Sequence, residues 1–143
     1  MKKFMRVIIL ISAVALSFCG CSTTPFPTRD SLDEIQSIEI VSAEDSFEYT
    51  VLKTLNEKEM EDFIEKFKTL SFRKYVGDPP APHGNCVRIV YKSGNYDMIS
   101  YFSSEYVENG VRQFYWRSCD EDKFNDLIEE FLGETSNDTS VIF

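Results

Sequence analysis

Two single-sided apolar stripes with alternating segments around them restrict this chain to a layered fold. Met60, Phe63, Ile64, Phe67 and Leu70 recur at helical spacing, and Phe124, Leu127, Ile128, Phe131 and Leu132 do so again. A helix with one apolar stripe must lay it against another element. The ends of both segments carry matching signals. Asn56 suits an N-cap with Glu59 three residues on, as in a capping box, and Leu55 and Met60 are placed for a hydrophobic staple. Lys66 and Lys68 sit where the helix dipole favours cations. Ser118 or Asp120 caps the second helix, and Gly133 fits the C′ stop. The strings EMEDFIEKF (59–67) and KFNDLIEEF (123–131) are alike, as two amphipathic helices covering one sheet face would be.

The other segments alternate with a period of two. Residues 35–41 carry Ile38 and Ile40, and Phe47, Tyr49 and Val51 follow after a turn at Ala43-Glu44-Asp45-Ser46. Residues 71–76 suit a short strand. Val87, Ile89 and Tyr91 mark a strand over 86–92, which returns through Ser93-Gly94-Asn95 into 96–102. Asn109-Gly110 signals a hairpin joining Tyr106-Val107 to 111–116. The stretch GDPPAPHGN (77–85) holds three prolines and two glycines and is a loop. The order β-β-α-β-β-β-α, dominated by hairpins, predicts an α+β two-layer sandwich: a mainly antiparallel sheet with both helices on one face.

The N-terminus carries a different message. Lys2, Lys3 and Arg6 precede an apolar run, Val7 to Phe18, interrupted only by Ser12 and Ser17. That run is shorter than the roughly 20 residues that span a bilayer and suits a signal-peptide core. It ends in Phe18-Cys19-Gly20-Cys21-Ser22, which resembles the lipobox of bacterial lipoproteins. Gly20 before Cys21 suits the peptidase better than Phe18 before Cys19, whereas Phe18 departs from the usual leucine. The resemblance implies cleavage before Cys21 and a diacylglyceryl group on its sulfur. Two acyl chains hold a protein stably at a membrane. The expected organisation is a signal peptide at 1–20, a lipidated and flexible Pro/Thr/Ser-rich tether at 21–34, one α+β domain at 35–133 and a tail at 134–143. The domain would sit outside the cytoplasm, anchored to the cell membrane or, since Ser22 permits that sorting, to an outer membrane.

Composition then excludes some roles. Loss of the leader's three cations takes the formal charge from −9 to −12. Such a chain is repelled by nucleic acid and by anionic headgroups, so the membrane partner would be met through the lipid alone. Cys86 and Cys119 in an exported chain predict a disulfide, contributing roughly 3–4 kcal/mol by chain entropy. In a simple meander their strands would lie two places apart, so the pair would need neighbouring strands or a bend.

No catalytic, metal or cofactor site is expected. His83 and Cys86 are spaced H-x-x-C, but His83 is the sole histidine and the neighbours are acidic. Asp120-Glu121-Asp122 and Glu44-Asp45 are too short for a calcium loop. Glu129-Glu130 reads as a solvated helix face rather than paired acid and base. There is no phosphate loop, nucleophile elbow or H-E-x-x-H. Aromatic residues concentrate between Tyr96 and Trp116. If Phe114 and Trp116 face the core, Gln113 and Tyr115 face away, and Tyr101, Gln113, Tyr115, Arg88 and Arg112 become candidate binding residues. The expected function is a non-enzymatic interaction module for another envelope protein or ligand. The alternatives are an immunity or inhibitor lipoprotein that blocks a basic toxin or enzyme, or a small envelope hydrolase.

Overall fold

The structure is a computed structural model that describes residues 28, 30–74, 77, 78, 80–114 and 117–133. The signal segment, Cys21, Tyr115, Trp116 and the 134–143 tail lie outside those residues.

Among the described residues, eight strands and two helices follow one another as β1 (Ile35–Ala43), β2 (Tyr49–Thr54), α1 (Glu57–Phe67), β3 (Arg73–Lys74), β4 (Gly84–Tyr91), β5 (Tyr96–Ile99), β6 (Ser104–Glu108), β7 (Val111–Phe114), β8 (Arg117–Ser118) and α2 (Glu121–Gly133). The expected α+β fold is observed: a six-stranded antiparallel sheet with both helices packed against it and each other. The sheet order is β2-β1-β4-β5-β6-β7, and β3 and β8 form a separate two-stranded ribbon. β1 is therefore interior, because the connection through α1 returns the chain to the far side of β1, where β4 pairs along nearly its whole length.

The capping box of α1 is formed. Asn56 Oδ1 accepts from Glu59 N–H (3.0 Å) and Glu59 Oε2 accepts from Asn56 N–H (2.9 Å). Of the two candidate caps for α2, Asp120 is used: its Oδ1 accepts from Lys123 N–H at 3.1 Å. Gly133 is the last helical residue rather than the first beyond the end. Phe63, Phe67, Phe124, Ile128 and Phe131 meet Ile38, Ile40, Val87, Ile89 and Ile99 in one buried cluster. Phe67 packs at 5.3 Å on Phe63 and 5.4 Å on Phe72. Lys53 reaches across the layer and donates to Phe131 O (2.6 Å), satisfying a carbonyl in the last turn of α2. Asn109 (φ 50°) and Gly110 (φ 78°) form the expected turn between β6 and β7, where both central residues need positive φ.

The last part of the expected tether is fastened to the domain. Residues Leu32–Glu34 form a 3-10 turn, Tyr106 Oη donates to Asp30 (3.0 Å), and Lys92 Nζ donates to Asp33 O (2.7 Å).

Candidate functional site

Strand alternation assigns the second sheet face. On β4, Val87, Ile89 and Tyr91 enter the helix-side core, so Cys86 and Arg88 point the other way. Cross-strand pairing places Glu39 and Val41 of β1, Met98 of β5, Glu105 and Val107 of β6 and Arg112 of β7 on that same face.

This face is not bare sheet. Val41, Ala43, Cys86 and Met98 form a second buried cluster, edged by Tyr49 and Tyr96. The connection Glu44–Glu48 folds over it. Asp45 Oδ1 ties that connection by accepting from Phe47 N–H (2.6 Å) and Glu48 N–H (3.0 Å). Tyr96 Oη donates to Ser46 O (2.7 Å), and Arg112 forms an ion pair with Asp45 (3.0 Å). In a flat sheet β1 and β7 would lie about 19 Å apart, at about 4.8 Å per strand step. The Arg112–Asp45 contact therefore requires a coiled sheet and a connection that crosses it. The bulge in β2, where Leu52 is extra between the Ile40–Lys53 and Val41–Val51 pairs, adds local twist.

At the rim of this face two guanidinium groups are held on aromatic rings. Arg88 lies 4.9 Å from the Tyr49 centroid and 4.3 Å from that of Tyr96. It also donates to Glu39 Oε2 at 2.7 Å. Arg112 lies 4.4 Å from the Phe47 centroid, and Phe47 is 48 % exposed. Such stacks hold cations on planar surfaces and are strongest where water is excluded.

Behind the rim sits Glu105, which is 0 % exposed. Neither carboxyl oxygen has a hydrogen-bond donor, and Arg112 Nε is 3.8 Å from Oε2. Burial raises the Glu105 pKa, Arg112 opposes that rise and Asp45 reinforces it. Ser46 Oγ, Arg88 Nε and Arg112 Nε are also buried without a hydrogen-bond partner.

Of the five residues expected at a binding surface, only Arg88 and Arg112 are brought together here. Tyr101 packs against the helix-side core beside Cys119, whose N–H donates to Tyr101 O (2.6 Å). Gln113 pairs with Tyr106 and so shares the helix-side face, the reverse of the expected orientation. Tyr115 lies outside the described residues. Phe47, Tyr49, Tyr96, Glu39 and Glu105 complete the site, and sequence reasoning had not placed them in it.

The expected Cys86–Cys119 disulfide is not made; both are free thiols. The reason is topological: Cys86 belongs to the cluster beneath the connection, whereas Cys119 packs on the helix-side core. Burial, followed by nearby carboxylates, pushes both thiols up to about 12, which opposes nucleophilic chemistry. His83 is exposed, its Nδ1 lies 3.1 Å from Ala81 O, and its ring packs on Phe102 at 4.7 Å. Among the described residues no group of three or more His, Cys, Asp or Glu could hold a metal ion, and no helix is long and apolar enough to cross a membrane. No protein-family model, curated protein or solved structure matches the chain.

Proposed function

We propose that this chain is a lipid-anchored envelope protein whose domain is a non-enzymatic interaction module. The observation that carries the reading is the rim of the second sheet face, where Arg88 and Arg112 are fixed on Tyr49, Tyr96 and Phe47. Arg and Tyr dominate binding hot spots, and side chains already held in place lose little freedom on association. The partner is another envelope protein or ligand that seats against these rings. The lipobox-like residues around Cys21 support the anchor.

A second reading draws on the helical layer. Glu57, Glu61, Glu65, Glu121, Asp122, Asp126, Glu129 and Glu130 surround the outer faces of α1 and α2. That surface suits an immunity or inhibitor protein that engages a basic toxin or enzyme. One experiment separates the two readings. A photocrosslinking residue is placed at Phe47 in one variant and at Glu61 in another, and the anchored protein is irradiated in cells. A partner captured at position 47 and not at 61, and lost in Arg112→Ala, supports the rim. Capture at 61 alone, weakened by salt, supports the acidic helices. Capture at neither position sinks both readings. Cys21→Ser tests the anchor: it should move the chain from the membrane to the soluble fraction.

A further inference from the structure

We infer that the Glu44–Glu48 connection is a latch over the second sheet face, held shut when Glu105 carries a proton and loosened when it does not. The inference is independent of the rim's proposed partner. Closure buries Glu105 completely with no donor to either oxygen. An ionised carboxylate in that position has lost its water and regained only a distant Arg112 Nε at 3.8 Å. The guanidinium that could neutralise it is divided, with its Nη2 committed to Asp45 at 3.0 Å. Opening the connection would break that ion pair and the Tyr96–Ser46 bond, both at the rim. It would return water to Glu105 and uncover Val41, Ala43, Cys86 and Met98, the cluster underneath.

The groups that face Glu105 come from every neighbouring element. They are Arg112 from β7, Asp45 from the connection, Cys86 from β4 and Tyr96 from β5. Arg88 shares the same face and is committed to Glu39. The Cys86 thiol and the Tyr96 phenol are raised by burial and stay neutral across the acid-to-neutral range. Asp45 is lowered, first by the Phe47 N–H, so it is already ionised there. Glu105 is thus the group that changes charge. Its pKa is raised in the closed form and falls toward the ordinary 4.5 once hydrated. Protons therefore favour closure: the stabilisation is complete below 4.5 and is lost as pH climbs through the raised value.

Cys86 reports the event because it is a free thiol under the connection. Cys119, free but on the other side, is the internal control for whole-domain unfolding. The full anchored chain is treated with 4,4′-dithiodipyridine at pH 5 and at pH 8, and modification is read separately at each cysteine by mass spectrometry. Each rate is divided by the rate in concentrated urea at the same pH, to remove the reagent's own pH dependence. Cys86 should be better protected at pH 5 and lose that protection at pH 8, because the Glu105 carboxyl holds its proton more tightly in the closed form than in the open one. Cys119 should not change. Glu105→Gln should be protected at pH 8 as well as the wild type is at pH 5, with no pH dependence. Equal protection of Cys86 at both pH values overturns the latch. So does a change shared by Cys119, or a pH dependence that survives in Glu105→Gln. If Glu105→Gln does not accumulate, the wild-type contrast between the two cysteines decides.

Discussion

Truncation of Arg88 to alanine asks whether the rim stack is structural as well as exposed to a partner. Its guanidinium donates to Glu39 at 2.7 Å, with side-chain exposures of 16 % and 15 %. That burial lies between a surface pair, worth about 0–1 kcal/mol, and a buried one, whose breaking costs about 3–5 kcal/mol. The contacts to Tyr49 and Tyr96 add about 0.5–1 kcal/mol each. The buried and unpartnered Arg88 Nε offsets part of this, since its dehydration ends with the truncation. The net expectation for Arg88→Ala is a loss of about 2–3 kcal/mol, read as a lower urea midpoint at unchanged slope. A cycle with Glu39→Ala should give a coupling of about 1 kcal/mol, and Arg88→Lys should recover part of the pair but little of the planar stacking. A loss below about 0.5 kcal/mol with no coupling would show that the stack does not hold β1 and β4 together, and the account of a pre-fixed rim would fail with it.

Other outcomes follow from the same contacts. Phe67→Ala, which empties a buried site between Phe63, Phe72 and Phe124, should cost about 3–5 kcal/mol in the same urea assay. Asn56→Ala removes the side-chain half of the capping box and should cost about 1 kcal/mol, with the early loss of protection in hydrogen exchange confined to the first turn of α1. Thiol titration of the denatured, unreduced chain should find both Cys86 and Cys119 free; a mass two hydrogens lighter for the linked peptides would show that the sheet leaves them room to meet.

The helical layer could be read directly, because its signals are local. The stripes from Met60 to Leu70 and from Phe124 to Leu132, the Asn56–Glu59 box and the Asn109-Gly110 turn each depend on residues within one or two turns of chain. The sheet order was less legible. Nothing in residues 35–43 marks β1 as interior, since that follows from where the α1 connection re-enters the sheet. The rim was half legible. Alternation of Val87, Ile89 and Tyr91 places Arg88 on the second face, but β5 inverts the usual cue. There the polar Asp97 faces the core and donates no charge to solvent; it is paired with the Tyr91 hydroxyl, while Met98 points the other way. On β6 the acid Glu105 does lie on the second face, yet it is fully buried there. Two buried acids hid the face from a polarity reading, and the crossing of the Glu44–Glu48 connection depends on sheet coiling that no short motif encodes. The disulfide expectation failed for the same reason, since chain spacing carries no information about which side of the sheet each sulfur occupies.

The attachment at Asp30 also sets a height. With the lipid proposed on Cys21, nine residue steps separate the anchor from the first fastened side chain, at most about 30 Å of reach. Asp30 is bound at the end of the sheet that carries the 92–95 and 109–110 turns, which touch through Asn109 N–H and Asn95 Oδ1. With that proposed lipid in place, this end would be the one tied to the bilayer. Arg112 lies two residues past the 109–110 turn and holds Asp45 and Phe47 on its guanidinium, so the Arg112 side of the rim belongs to the same tethered end of the sheet. A partner of that stack would then have to come within the tether's reach, and lengthening or shortening residues 22–29 would tune which structures fall inside it.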